Sequence, residues 1–243
     1  MPNTAQMDLE ARERQFSQTL QKHLENGVVF FSREVYIDPE VVIAPGAQIL
    51  PGTILRGKTV IGADCVVGPY SLLEDTVLED GCQVNASQVY SSTLGKGTRV
   101  GPFAHLRPDT QTGPQVHLGA FVETKNSQIG HGTTVSHLTY VGDSDVGEYC
   151  NFGCGTVTSN YDGEEKHRCR IGNYAFIGCN TNLIAPVTLG DECYTAAGST
   201  ITGEVPAGAL AVARSRQQNK EGWARQKLAA YVAKKRKLKS EGK

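Results

Sequence analysis

An aliphatic residue returns every six positions through most of this 243-residue chain. The series runs Ile43, Ile49, Leu55, Ile61, Val67; then Leu94, Val100, Leu106; Ile129, Val135, Val141; and Ile171, Ile177, Leu183, Leu189, Thr195, Ile201. A helix places apolar residues at a period of 3.6 and a lone strand at 2, so a sustained six fits neither alone. It fits strand, corner, strand, corner. Glycine commonly follows the aliphatic residue, as in Ile61-Gly62, Val100-Gly101 and Ile177-Gly178, which is how hexapeptide β-helix repeats read. An all-β solenoid, a parallel β-helix, is therefore expected, its core built from stacked aliphatic ladders.

Length and composition leave room for one such solenoid with short appendages and for no second large domain. No segment resembles a secretory leader, and no apolar run approaches the ~20 residues needed to cross a bilayer. A soluble, cytoplasmic protein without membrane partners is expected. The seven cysteines are scattered without CxxC pairs, which indicates reduced thiols filling a tight coil rather than a disulfide framework or zinc ribbon. Residues 213–243 hold eleven Lys or Arg against Glu221 and Glu241, so a tail of about +9 follows a body of about −10. The basic run Lys234–Lys237 reads as a solvated helix end, not a nucleic-acid site, beside so acidic a body.

Three segments follow. Residues 1–40 comprise a lead-in helix and connector: residues 6–26 lack Pro and Gly, carry Leu9, Phe16, Leu20 and Leu24, and stop at Gly27. Residues 41–212 form the coil, roughly nine or ten turns at three hexads per turn. Residues 213–243 form the basic tail, helix-like and polar from Gln217 to Lys239. The beat breaks at Pro108–Pro114 and at Ser159–Arg170, both expected to be surface insertions. The second is dense in Asn160, Tyr161, Asp162, Lys166, His167 and Arg168, and there chemistry is expected.

Several motifs form an ordered series: Leu106-Arg107-Pro108, Phe121-Val122-Glu123-Thr124-Lys125, His137-Leu138-Thr139-Tyr140-Val141-Gly142-Asp143, Asn151-Phe152-Gly153-Cys154-Gly155-Thr156, Asn160-Tyr161-Asp162-Gly163 and Lys220-Glu221-Gly222-Trp223. This series resembles the acetyltransferase half of the bacterial bifunctional glucosamine-1-phosphate N-acetyltransferase / UDP-N-acetylglucosamine pyrophosphorylase, over about residues 20–225. The resemblance implies a left-handed parallel β-helix, a homotrimer with active sites between subunits, and acetyl transfer from acetyl-CoA to the amine of glucosamine 1-phosphate. The product would feed UDP-N-acetylglucosamine and cell-wall precursor synthesis. Handedness rests on the resemblance alone, because left-handed parallel crossovers are strongly disfavoured in ordinary sheets. No counterpart of the pyrophosphorylase half is recognised: the glycines of Leu94-Gly95-Lys96-Gly97-Thr98-Arg99 sit inside the hexad register and read as corners.

An amine acceptor is protonated until a base removes its proton, and a histidine near pKa 6.5 suits that task. The matching His-Leu-Thr-Tyr segment makes His137 the candidate base. The resemblance puts Glu123 beside it as a carboxylate that orients the imidazole. A sugar phosphate needs cations, and Arg107, Lys125 and Lys166 are those within the matching segments. Tyr140 and Asn151 match sugar-binding positions, and Asn160 and Tyr161 positions that contact substrate and place the reacting groups.

The developing oxyanion needs donors placed in advance, with backbone N–H groups around Cys154 as contributors. At Cys179 the family generally has serine, and a thiol is a weaker donor. Ala197, Arg214 and Lys220 match positions that carry acetyl-CoA. Direct transfer needs no covalent enzyme intermediate, and no G-x-S-x-G elbow is present.

Two other enzyme readings and one non-enzyme reading compete. Three-histidine zinc chemistry is disfavoured because His105, His117, His131 and His137 do not follow that ligand pattern, so no metal is expected. An acyltransferase acting on another amino sugar or nucleotide sugar is kept open by Cys179. A non-catalytic trimeric scaffold for sugar phosphates is the remaining alternative, since repeats specify architecture and not chemistry.

Overall fold

The computed structural model describes residues 4–241, which divide into a compact unit ending at Ala213 and a second beginning at Arg214. The first unit is a left-handed parallel β-helix of about ten turns. Each turn has three faces of mostly short strands, with His117–Lys125 and Thr134–Gly142 running as continuous nine-residue strands across the first and second. The first face stacks, among others, Gln48–Ile49, Val66–Val67, Gln83–Val84 and Arg99–Val100; the second stacks Ile54–Arg56, Leu72–Glu74, Gln88–Tyr90 and His105–Leu106. The third is a nine-stranded sheet from Val42–Ile43 to Val187–Leu189. Every pairing between these strands is parallel, and the paired residues are one turn apart in sequence.

Strands of two or three residues cannot hold together by their own hydrogen bonds; side-chain stacking across turns must supply the rest. The ladder residues Ile49, Leu55, Ile61, Leu73, Leu94 and Leu106 are sealed from solvent, each contributing roughly 1.5–3 kcal/mol of burial. The ladder also runs unbroken between Val67 and Leu94, through Leu73, Leu78, Val84 and Val89, where several steps shorten from six residues to five.

Threonines replace aliphatics at some rungs and pair with each other, Thr110 with Thr124 at 2.9 Å and Thr98 with Thr112 at 3.2 Å. That substitution corrects one expectation. Pro108–Pro114 is not an insertion: Thr110–Thr112 is an ordinary third-face strand pairing Thr93–Leu94 on one side and Ser127–Ile129 on the other. Within Ser159–Arg170 the chain does leave the coil, as a loop over residues 160–168 between the strands Val157–Ser159 and Cys169–Ile171.

Strand pairing starts ahead of residue 41, with Val29–Phe30 on Gln48–Ile49 and Tyr36–Ile37 on Ile54–Leu55. Helix α1, Thr4–Glu25, caps this end and stops at Gly27 with φ +82°. It packs through Phe16, Thr19, Leu20 and His23, an i, i+3, i+4, i+7 stripe. Leu9 and Leu24 face solvent. In the second unit, α2 (Trp223–Lys227) and α3 (Ala229–Ser240) bury no residue. Cys65, Cys82, Cys150, Cys169 and Cys193 are buried free thiols, with burial pushing Cys169 up to about 11; Cys154 is half-buried and Cys179 exposed.

His23 is buried with Nε2 unpartnered among the described residues, and burial, then the Lys22 charge, hold its pKa below 6.5. A base whose folded pKa is lowered leaves the unfolded state binding more protons, so its contribution is whole above 6.5 and declines as pH falls through that value. Docking of α1 should therefore loosen between about pH 7.5 and about pH 5, seen as faster hydrogen exchange of α1 amides after correction for intrinsic rates. His23→Gln should flatten that dependence; an equal pH response in both proteins would refute the assignment.

Candidate functional site

Stacking in register turns positions in sequence into columns in space. His137 pairs with Ala120 on the turn before. The registers on both sides of the same corner, Val135 with Phe152, Phe152 with Ile177 and Ile177 with Thr195, then Tyr140 with Val157, Thr158 with Leu183 and Leu183 with Ile201, continue that column through Cys154, Cys179 and Ala197. Successive members are one strand spacing apart, roughly 4.8 Å. The backbone requires small residues here: a Cβ on Gly153 would stand 2.5 Å from the Cys179 nitrogen, and one on Gly178 2.4 Å from the Thr195 oxygen.

Beside this column runs another. Its lower members are Phe121 and Leu138, Phe121 stacking on Phe103 at 5.5 Å, and its upper members Gly155, Asn180 and Gly198. An apolar shelf thus ends at the level of His137, and an open groove of small residues begins above it. Cys154 N–H donates no backbone hydrogen bond among the described residues, whereas Gly153 donates to the Ile177 oxygen and Gly155 to the Leu138 oxygen.

The second face carries a different set. His105, Glu123, Tyr140 and Val157 form its outward ladder, with Arg107, Lys125 and Gly142 as the next column. Arg107 Nη1 donates to Glu123 Oε1 at 3.0 Å with both side chains partly exposed, so the pair contributes on the order of 0–1 kcal/mol. Glu123 is therefore engaged by Arg107, and no side-chain hydrogen bond joins it to His137 among the described residues. A Cβ on Gly142 would lie 2.2 Å from the Tyr140 hydroxyl, so glycine there lets the phenol reach toward the Lys125 column.

The loop meets this same edge. Tyr161 and Lys166 form an antiparallel bridge, and His167 N–H donates to the Asn160 oxygen at 2.8 Å. Asp162 accepts from the N–H groups of Glu164 and Glu165 at 2.8 Å each and contacts His167 Nε2 at 2.8 Å, which holds its carboxyl well below the usual range. Lys166 comes against Lys125. That contact, with some burial and the nearby Arg107 charge, lowers the Lys125 ammonium below the ordinary lysine value, with Asp143 opposing. Cations crowded enough to disturb one another favour an anion placed between them.

The structure thus gathers Arg107, Glu123, Lys125, Tyr140, Asn160 and Lys166 along one edge of the second face, and His137, Cys154, Cys179 and Ala197 at the opposite corner of that face. Asn151 points outward from the first face between Thr134 and Phe176, and Tyr161 is exposed on the loop. Arg214 and Lys220 are exposed and belong to the second unit. Arg168, from the loop where chemistry is expected, and three residues that the sequence did not single out, Asn126, Asp143 and Asp145, hold the edge together. Asp143 lies within the quoted His137–Asp143 motif, but nothing in its spacing marks it as buried. Among the described residues, no three His, Cys, Asp or Glu side chains gather as metal ligands do.

Residues 168–203 match the family described as "Bacterial transferase hexapeptide (six repeats)". The chain is 52% identical over 204 residues, 84% of its length, to the "Bifunctional protein GlmU" of Clostridium acetobutylicum, and 53% identical over 203 residues, 83% of its length, to that of Clostridium botulinum. It covers 45% and 44% of those proteins, and so spans about half the length of the curated relatives it matches. Among solved structures, LpxA, a UDP-N-acetylglucosamine acyltransferase from Bacteroides fragilis, superposes with a TM-score of 0.50 at 15% identity, covering 74% of this chain and 70% of that one. That likeness is one of fold. By its repeats, its coil and its kinship, this chain belongs with the hexapeptide-repeat proteins and corresponds to about half of the bifunctional GlmU proteins.

Proposed function

We propose that the chain is an N-acetyltransferase that moves acetyl from acetyl-CoA to the amine of glucosamine 1-phosphate, giving N-acetylglucosamine 1-phosphate. The observation that carries this reading is the three-cation edge formed by Arg107, Lys125 and Lys166, on a coil half identical to GlmU proteins over most of its length. A phosphate on those cations would leave the sugar against Tyr140 and Asn160, with Asn151 and Tyr161 as further contacts.

His137 removes a proton from the amine, which then attacks the thioester carbon. The carbonyl oxygen takes up negative charge beside the free Cys154 N–H, and collapse expels the CoA thiolate, which leaves protonated. Acetyl-CoA runs along the groove past Cys179 and Ala197. The reaction requires no metal.

The cation edge and the His137 corner lie on opposite sides of one face, and Asn151 lies on another. This separation supports a homotrimer in which a neighbouring copy completes each site. Glu123, held by Arg107, acts on the cation edge in the single chain. A cytoplasmic setting accords with the substrates, and no described helix is long and apolar enough to cross a membrane. Cys179, exposed on the acetyl path, favours a second reading, an acyltransferase for a different amino sugar.

A thiol-release assay with acetyl-CoA and glucosamine 1-phosphate, run beside glucosamine and other amino-sugar phosphates, decides among these. Release should require glucosamine 1-phosphate and fall about 10²–10⁴-fold in His137→Ala, as removal of a general base does. Release only with another amine would move the substrate, and none from a folded protein would favour the scaffold. Independently, Lys166→Met should raise the titration midpoint of Lys125, followed by NMR of its labelled Cε, because the neighbouring cation is the main cause of its depression; an unmoved midpoint would remove the basis for an anion site.

A further inference from the structure

Both ends of the inserted loop converge on one buried residue. Asp143, 3% exposed, donates its N–H to the Lys125 oxygen at 3.0 Å and accepts from Cys169 N–H, where the loop rejoins the coil, at 3.1 Å. Its two carboxylate oxygens are divided between two amides: Oδ1 accepts from Asn126 Nδ2 at 2.5 Å, and Oδ2 accepts from Asn160 Nδ2, where the loop departs. A second clamp lies alongside, with Arg168 forming a two-pronged ion pair on Asp145 while its Nη1 donates to the Asn126 oxygen at 3.2 Å.

We propose that Asp143 is the positioning residue of the anion edge: by anchoring Asn160 and the loop's return to the backbone of Lys125, it sets where Lys166 stands relative to Lys125 and so fixes affinity for the substrate phosphate. This inference rests on the acetyltransferase reading for its kinetic consequence, but not for its structural one. A carboxylate is required because both amides present donors. Asparagine has nearly the same size, but it offers one oxygen and would turn its own NH₂ toward a second NH₂. A buried donor facing a donor loses a bond to a charged acceptor, typically about 1.5–3 kcal/mol, or about tenfold and upward in an equilibrium. Asp143 also opposes the depression of Lys125, so its charge steadies the cations as well as the loop.

The test is Asp143→Asn in the full chain, with the double exchange Asp143→Asn, Asn160→Asp as its control. In the exchange, position 143 still accepts from Asn126 and donates to the new carboxylate at 160, restoring complementarity. Trypsin cleavage after Lys166 and Arg168, measured under native conditions, should accelerate about tenfold in the single variant and return toward wild type in the exchange. The KM for glucosamine 1-phosphate should rise about tenfold in the single variant, while the KM for acetyl-CoA stays within about twofold.

Unchanged cleavage and unchanged sugar-phosphate KM would overturn the proposal, as would a uniform fall in every kinetic parameter with a lowered Tm, which marks a merely structural residue. If the wild-type protein transfers no acetyl group, the enzymatic reading fails by itself. The cleavage comparison then still decides whether Asp143 holds the loop.

Discussion

Registered stacking of one turn on the next is the constraint on which everything else in this protein depends. Each turn lends its carbonyls to the N–H groups of its neighbour, and the side chain at one position meets the side chain a full turn away. Position in the turn therefore becomes a column, and a column can be specialised along its length. The corner shows this directly: Ala120, His137, Cys154, Cys179 and Ala197 share one position, yet one is an imidazole, two are thiols and two are methyl groups. A rigid parallel coil holds such a series at roughly 4.8 Å intervals without any moving part.

The same constraint explains why the polar set divides between two edges. A triangular coil has only its faces and corners on which to display side chains, and inward positions are claimed by the ladder. Outward residues of adjacent turns can touch, as Arg107 touches Glu123, whereas residues on opposite edges of a face have a strand between them. The proposed transfer from a thioester to a phosphate-bearing acceptor would then draw on a second surface. The loop supplies part of it on the cation side, bringing Lys166 to Lys125 from a segment that lies outside the hexad pattern.

How much of this was legible in the sequence follows from period and burial. The six-residue beat revealed the coil because burying one residue per strand repeats without interruption. It was lost between Val67 and Leu94, where five-residue steps such as Leu73 to Leu78 move the ladder off the count. Pro108–Pro114 looked like an insertion because Thr110 and Thr112 are polar by composition, but paired hydroxyls make them acceptable inside. In α1 the sequence marks the helix but not its docked stripe, which takes in Thr19 and His23 and leaves Leu9 and Leu24 exposed. The cations and His137 were legible as chemistry; their separation was not, since distance along a coil says nothing until the corner is known.

Asp143 shows the deeper limit of reading residues one at a time. A buried carboxylate is costly unless each of its oxygens is satisfied, and here satisfaction comes from Asn126 one turn below and Asn160 at the loop's departure. The three stand 17 residues apart in succession, one turn each, so they share a column, but spacing alone does not show that their amides and carboxylate turn toward one another. The cost of the buried charge is offset locally by two amides and by the cations beside it. That arrangement makes the loop's position a consequence of the coil's register, so the part of the molecule that departs from the repeat is held in place by the repeat itself.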